Sequence, residues 1–366
     1  MIDRPSRRKL LSLVGAGAAA AAIPAAWARA QEAAADENRV CFFFVSDTHF
    51  LADKDNPERL DERSALANRR LIDVLNRLPG TPISADTAGA AAGVVAAPRG
   101  VIHGGDLIDT GDKTGPAAAA MQRTELKAFT DAFGLDGRDG RLRFPVYEIH
   151  GNHDAPHGTG RVIDAIIDRN KRRPGLTGTS SNGLHYSWDW GPVHFVNLGI
   201  VVGAVPEVTR RRRYDPLASL DFLRQDLEKR VGRSGRPVVL THHVDVARYS
   251  TPCDPSAPFA NKEWDPCDVA AYYQLAREYN VVAVLYGHTH ARNVFKWDGR
   301  STRPAAGLDV FNVDESSHFL STAHGLFYFE LTAQRMTVRE YATKDNWETA
   351  AWSPAWTYPI KAAARA

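Results

Sequence analysis

The chain has 366 residues, 45 of them Lys or Arg against 43 Asp or Glu, and 44% of it is hydrophobic. A formal net charge of +2 offers no strongly basic surface, so neither nucleic acid nor an acidic membrane is expected as a partner. The length suits one large α/β domain or two.

The N-terminus reads MIDRPSRRKLLSLVGAGAAAAAIPAAWARA. A basic start, an apolar middle and a small-x-small end at Ala28-Arg29-Ala30 predict a signal peptide over residues 1–30. Arg7 and Arg8, after Ser6 and before Lys9-Leu10-Leu11, resemble a bacterial twin-arginine signal. The translocase of that route is then a partner during export, and the expected location is periplasmic or secreted. No later stretch is long and apolar enough to span a bilayer, so no stable membrane anchor is expected. Without residues 1–30 the charge balance turns slightly acidic. Residues 31–366 are expected to form a single domain.

VCFFFVS (40–46) is a continuous apolar run, as a strand covered on both faces would be. SALANRRLIDVLNRL (64–78) has helical periodicity. The Ala/Gly-rich stretch 81–98 is expected to be a surface insertion. RGVIHGGD (99–106) predicts a strand and turn, TELKAFTDAFG (124–134) a helix, FPVYEIHGNHD (144–154) a strand and turn, and RVIDAIIDRN a helix. The alternation in 184–199 predicts a hairpin. Asp215-Pro216 predicts the N-cap and first residue of a helix through LASLDFLRQDLEKRV. PVVLTHH (237–243) and NVVAVLYGHTH (280–290) are further buried strands, and 324–342 closes as a hairpin. Of the three cysteines, Cys41 lies in an apolar strand and is expected to be a buried thiol. Cys253 and Cys267 bracket a Pro-rich loop and are expected to pair in an oxidising compartment, with two free thiols as the alternative.

Five strands finish in polar clusters: Asp-Thr-His, Gly-Gly-Asp, Gly-Asn-His-Asp, Thr-His-His and Gly-His-Thr-His. In an α/β sheet the carboxyl ends of strands gather at one edge, where ligands bind. Asp47, His49, Asp106, Asn152, His153, His242, His288 and His290 can therefore converge. Carboxylate, imidazole and amide oxygen together suit borderline divalent or trivalent metals.

With these motifs in hand, the sequence resembles the calcineurin-like metallophosphoesterases. That family's pattern runs Asp-x-His, Gly-Asp, Gly-Asn-His-Asp/Glu, His, Gly-His-x-His. Here it stands as Asp47-Thr48-His49, Gly105-Asp106, Gly151-Asn152-His153-Asp154, His242 and Gly287-His288-Thr289-His290. The resemblance implies an α/β/β/α sandwich, two packed mixed β-sheets flanked by helices. It implies two metal ions drawn from Mn, Fe and Zn. Asp47, His49 and His290 would hold one ion, Asn152, His242 and His288 the other, and Asp106 would bridge them. A metal-bridging hydroxide would then attack a phosphate ester in line. His153 matches the family's catalytic histidine, and either Asp109 or Asp154 would orient its ring.

Position 109 is Asp rather than Tyr, so the tyrosinate-iron site of purple acid phosphatases is not expected. Asp109-Thr110-Gly111 also lacks the Asp-Arg-Gly of the Ser/Thr protein phosphatases. A small phosphate ester is the expected substrate, with a slight lean to monoesters over diesters. Arg248 and Arg292 follow the His242 and His290 motifs and are candidate substrate-binding cations. The run Arg210–Arg213 is read as a solvated loop, with a phosphate-steering patch as the alternative. A non-catalytic metal- or ligand-binding protein is the rival from another class. The presence of both Asp106 and His153 speaks against it.

Overall fold

The computed structural model describes residues 39–83 and 90–360. The expected signal peptide and the centre of the Ala/Gly-rich stretch lie outside the described residues. In chain order the elements begin β1 (Val40–Val45), α1 (Glu62–Arg77), β2 (Pro82–Ile83), β3 (Gly93–Val94), β4 (Val101–His103), α2 (Pro116–Phe133), β5 (Val146–Glu148) and α3 (Arg161–Arg172). They continue β6 (Leu176–Thr179), β7 (Tyr186–Trp190), β8 (Val193–Asn197), α4 (Ser219–Asp226), β9 (Val238–Thr241), α5 (Pro266–Ala276) and β10 (Val281–Tyr286). Last come β11 (Asn293–Trp297), β12 (Leu308–Asn312), β13 (His324–Leu331), β14 (Arg335–Thr343) and β15 (Ala351–Pro359).

Two mixed sheets pack face to face. The first has the order β15-β14-β13-β1-β4-β5, the second β11-β12-β10-β9-β8-β7-β6. Strands β1, β4 and β5 run parallel, and β13 joins β1 antiparallel. In the second sheet β8, β9, β10 and β12 are parallel neighbours, and β7 and β11 are antiparallel to theirs.

The all-apolar β1 follows from its position. Successive side chains of a strand point to opposite faces. Cys41, Phe43 and Val45 lie in the cluster with α1, α2 and α3. Val40, Phe42 and Phe44 lie between the sheets with Trp188, Phe195 and Phe329. Neither face meets water, so neither carries a polar residue. A third cluster joins the outer face of the second sheet to α4 and α5.

Several boundaries differ from the sequence expectation. Helix α2 starts eight residues early, on Pro116, and ends at Gly134, whose φ is 62°. Helix α4 starts at Ser219, because Leu217 and Ala218 adopt left-handed backbone. The Asp215 carboxylate instead accepts from the Leu217 N–H at 2.8 Å. The flanks of the Ala/Gly-rich stretch are tied inward. Ile83, Val95 and Ala96 are buried, and the Ala96 N–H donates to the Tyr328 hydroxyl at 2.9 Å.

Cys253 and Cys267 form a disulfide, and Cys41 is a buried free thiol. The bridge closes a loop between residues 14 apart. A loop of that size is stabilised by roughly 3 kcal/mol through restriction of the unfolded chain. Cys253→Ser is therefore expected to lower the free energy of unfolding by about that amount in denaturant titrations. A midpoint indistinguishable from that of the parent would contradict it.

Candidate metal centre

All five polar clusters emerge at the carboxyl ends of parallel strands, β1, β4 and β5 from one sheet and β9 and β10 from the other. The loops after β1 and β4 are zipped together by backbone bonds, Asp47 N–H to Gly105 C=O at 3.0 Å and His49 N–H to Asp106 C=O at 3.1 Å. Five motif residues sit in left-handed backbone: Asp47 (φ 55°), His49 (40°), Asp106 (52°), His288 (72°) and His290 (48°). Such conformations cost about 1 kcal/mol or more each for residues with a Cβ and persist where the surroundings over-determine them. Glycines make the close approach possible. A Cβ on Gly151 would collide with the Asp106 carboxylate, and one on Gly287 with Ser46 and Asp47.

Two groups of donors result. In the first, Asp47, His49, Asp106 and His290 bring ligand atoms within 4.8 Å of one another. His49 Nε2 and His290 Nε2 stand 3.2 Å apart. Their Nδ1 atoms face carboxylates, Asp109 at 3.1 Å and Glu315 at 2.8 Å. With each Nδ1 held there, Nε2 is the nitrogen that faces Asp47 and Asp106. In the second group, Asp106, His243 and His288 converge. His243 Nε2 is 3.1 Å from both Asn152 Oδ1 and Asp106 Oδ2, and its Nδ1 donates to the Gly104 carbonyl at 2.7 Å. Asp106 belongs to both groups.

His243 here corrects the sequence expectation of His242. Residues 238, 240 and 242 face the helices and 239 faces the other sheet, so strand alternation sends 243 to the inter-sheet side. The His242 ring packs against Trp264 and Tyr272 at 4.9 and 5.4 Å, and burial lowers its pKa to about 3.

The two acids proposed to orient His153 are also corrected. Asp109 gives its carboxylate to His49, and only its backbone carbonyl, 3.2 Å away, receives His153 Nδ1. Asp154 instead accepts the N–H groups of Leu107, Ile108 and Gly151 at 3.0, 3.0 and 2.7 Å. It fixes the turns after β4 and β5. Burial and the Asp106 charge push its pKa up to about 7.

The candidate cations part company. Arg292 pairs with Glu340 at 3.1 Å and lies over the Trp356 ring. Arg248 stands 3.8 Å from Glu263 and also meets Tyr249. In the arginine run, Arg210 grips Asp265 at 2.6 and 2.7 Å and Arg212 grips Asp268 at 2.5 and 3.0 Å. Arg211 and Arg213 instead line a cavity whose wall includes Asn152 and His153.

Sequence reasoning reads His243, like His103 and His150, as a structural neighbour of the motifs rather than a ligand, and it misses Glu263, Glu315 and His318. Glu263 accepts from His288 Nε2 at 3.1 Å. The His318 ring lies 4.5 Å from His49 and 4.7 Å from His290. Glu315 and His318 follow β12, a sixth strand ending at the same edge, and the run Asp-Glu-Ser-Ser-His was the signal for them.

The donor set fits cations. Burial would depress the imidazole of His49, yet Asp109, Asp47 and Asp106 outweigh it and push the pKa up to about 10. The same balance puts His243 at about 9 and His290 at about 11. These rings therefore hold protons at neutral pH in the cation-free protein, and an entering cation must displace them. Binding of Mn²⁺ or Zn²⁺ is expected to release about two protons or more and to weaken as pH falls from 8 to 6. Calorimetry in buffers of different ionisation heat measures this. Affinity independent of pH would contradict it.

The sequence profile of the calcineurin-like phosphoesterases matches residues 42–292. The chain belongs to that family, whose members are metal-dependent hydrolases of phosphoric esters. No curated protein matches it in sequence. Among solved structures it resembles that of PhoD at TM-score 0.52 and 12% identity, over 88% of this chain and 70% of that one. It also matches a dimetal phosphatase from Danio rerio (TM-score 0.46, 12% identity, 88% and 99% covered). A purple acid phosphatase from yellow lupin, Lupinus luteus, gives 0.49, 12%, 87% and 53%. At such identity the likeness to PhoD is one of fold.

Proposed function

We propose that the chain is an exported phosphatase that hydrolyses small phosphate monoesters with two metal ions. The observation that carries this reading is Asp106, one buried carboxylate common to two donor groups, with His153 beside it. Asp47, His49 and His290 would hold one ion, Asn152, His243 and His288 the other, and Asp106 would bridge. Bound there, the ions would supply Lewis acidity toward the phosphoryl oxygens and a nucleophile at neutral pH. Mn, Fe and Zn all suit the mixed nitrogen and oxygen donors.

The chain's own groups do the rest. Asp109 and Glu315 hold the rings of His49 and His290 in the tautomer that presents Nε2. The His153 N–H donates to Asp106 Oδ1 at 2.8 Å and its ring Nδ1 is held by the Asp109 carbonyl. Nε2 is then the nitrogen left to give a proton to the departing alkoxide.

The lean to monoesters rests on the positive field that Arg211 and Arg213 set up at the cavity beside the centre, which favours the more anionic substrate. A dianionic phosphate asks for more positive charge around it than a diester does. Export is supported by the twin-arginine pattern at the N-terminus and by the disulfide, a bond of oxidising compartments. No helix among the described residues is long and apolar enough to cross a membrane.

The test compares kcat/KM for p-nitrophenyl phosphate and its bis-ester with defined metals. The monoester is expected to be the better substrate, and chelation is expected to abolish activity. A tenfold preference for the bis-ester would turn the reading to a phosphodiesterase. Activity that survives complete metal removal would overturn the metal mechanism.

A further inference from the structure

The cavity beside His153 has a volume of about 460 Å³, within the range of small-ligand sites. Asn152, His153, Arg213, Tyr214, Phe259 and Asn261 are among the residues that line it. Phe259 and Asn261 lie on the loop that the disulfide closes. Asp112 also lines the cavity, and Lys113 pairs with its carboxylate at 2.8 Å.

The wall is held firmly where it turns. Arg210 binds Asp265 and donates to the carbonyls of Asp254 and Pro255 at 2.7 and 3.0 Å. Arg212 binds Asp268 and the Val205 carbonyl at 3.2 Å. Asp265 and Asp268 both lie at the start of α5. Arg210 and Arg212 thus anchor the run to that helix, and Arg211 and Arg213 are left for the cavity. Arg211 has no carboxylate partner among the described residues. Arg213 stands 4.0 Å from Glu263 and lies over the Tyr214 ring at 5.5 Å. A pair of exposed guanidinium groups at a cavity is suited to an oxyanion, which they can bind by two-pronged hydrogen bonds.

We infer that this cavity receives the leaving group of the substrate, and that Arg211 and Arg213 bind a second phosphoryl group carried on it. This rests on the phosphoesterase reading above and narrows it. The preferred substrate class is a phosphate ester whose alcohol is itself phosphorylated. His153, the residue placed to protonate the departing oxygen, lines the cavity, which puts the departing group at or within it. A neutral alcohol would leave the two guanidinium groups facing water.

Propane-1,3-diol bisphosphate and its monophosphate test this in the metal-loaded protein. The bisphosphate is expected to have the higher kcat/KM by about tenfold or more, the value of one charge-assisted contact. Arg211→Gln/Arg213→Gln is expected to bring that ratio close to one, and Arg211→Lys/Arg213→Lys to keep most of it. Both arginines are exposed, and circular dichroism confirms that the variants fold. In parallel, calorimetry measures methylenebisphosphonate against methylphosphonate on the same proteins. The double Gln variant is expected to lose about tenfold in the bisphosphonate's advantage. No preference in the parent, or a preference that survives the double Gln variant, overturns the inference. Should the loaded protein hydrolyse no phosphate ester, the phosphoesterase reading fails on its own, and the calorimetric comparison still decides the cavity's ligand.

Discussion

Asp106→Ala is expected to lower kcat for p-nitrophenyl phosphate by about 10³-fold, near 4 kcal/mol of transition-state stabilisation. Three contacts converge on this one carboxylate. Oδ2 lies 3.1 Å from His243 and 3.5 Å from His49, and Oδ1 accepts the His153 N–H at 2.8 Å. Burial would raise its pKa, but His243, His49 and His153 hold it below the usual carboxylate range. It therefore stays an anion, as a shared ligand must. Losing it removes a ligand from both donor groups and the anchor of the His153 loop at once. Asn152→Ala removes one neutral oxygen from one group and is expected to cost only about 10- to 100-fold. Metal content measured alongside should fall from two ions toward one or none in Asp106→Ala. Equal, mild losses in the two variants would refute the bridging role.

The second large effect separates two adjacent histidines. His243→Ala is expected to reduce activity by about 10²-fold or more, with loss of one metal ion and little change in melting temperature. His242→Ala should do the reverse. Its ring fills space among Trp264, Tyr272 and Tyr286, so truncation leaves a cavity and costs about 3 kcal/mol of stability. Activity at a temperature where the variant is folded should stay within about threefold of the parent, since the ring meets no donor group. The pair is read by kcat, metal analysis and thermal denaturation together. If His242→Ala abolishes activity in a protein that remains fully folded, the assignment of strand faces at β9 is wrong.

That pair also shows where the sequence was legible and where it was not. The motifs located the site because each ends a buried strand, and buried strands announce themselves by apolar runs such as VCFFFV. Choosing between His242 and His243 needed the side of β9 that each occupies. A strand buried on both faces has no polar face to mark its parity, so VVLTHH could not be phased alone. Parity became visible only when Val238 and Leu240 were seen against α4 and α5 and Val239 between the sheets. Helix α5 was missed although its start, Asp265-Pro266, carries the same signal that was read at Asp215-Pro216. Asp265 does cap its helix, accepting from the Cys267 N–H at 2.9 Å. At Asp215 the same dipeptide opens a left-handed turn instead, because Leu217 and Ala218 intervene before the helix. Local chemistry names a start there, and tertiary packing decides between candidates.

The arginine run has a consequence for how this wall can change by descent. Its four side chains are sorted by period two, two gripping acids at the head of α5 and two turned to the cavity. Point substitutions alter one tooth of that comb at a time. Deleting a single residue ahead of it would shift the phase, so that Arg211 and Arg213 met Asp265 and Asp268, Arg212 turned to the cavity and Tyr214 took the place of Arg213. Length variation in the segment leading to residue 210 is thus a route by which relatives with identical arginine content could acquire a differently shaped leaving-group chamber.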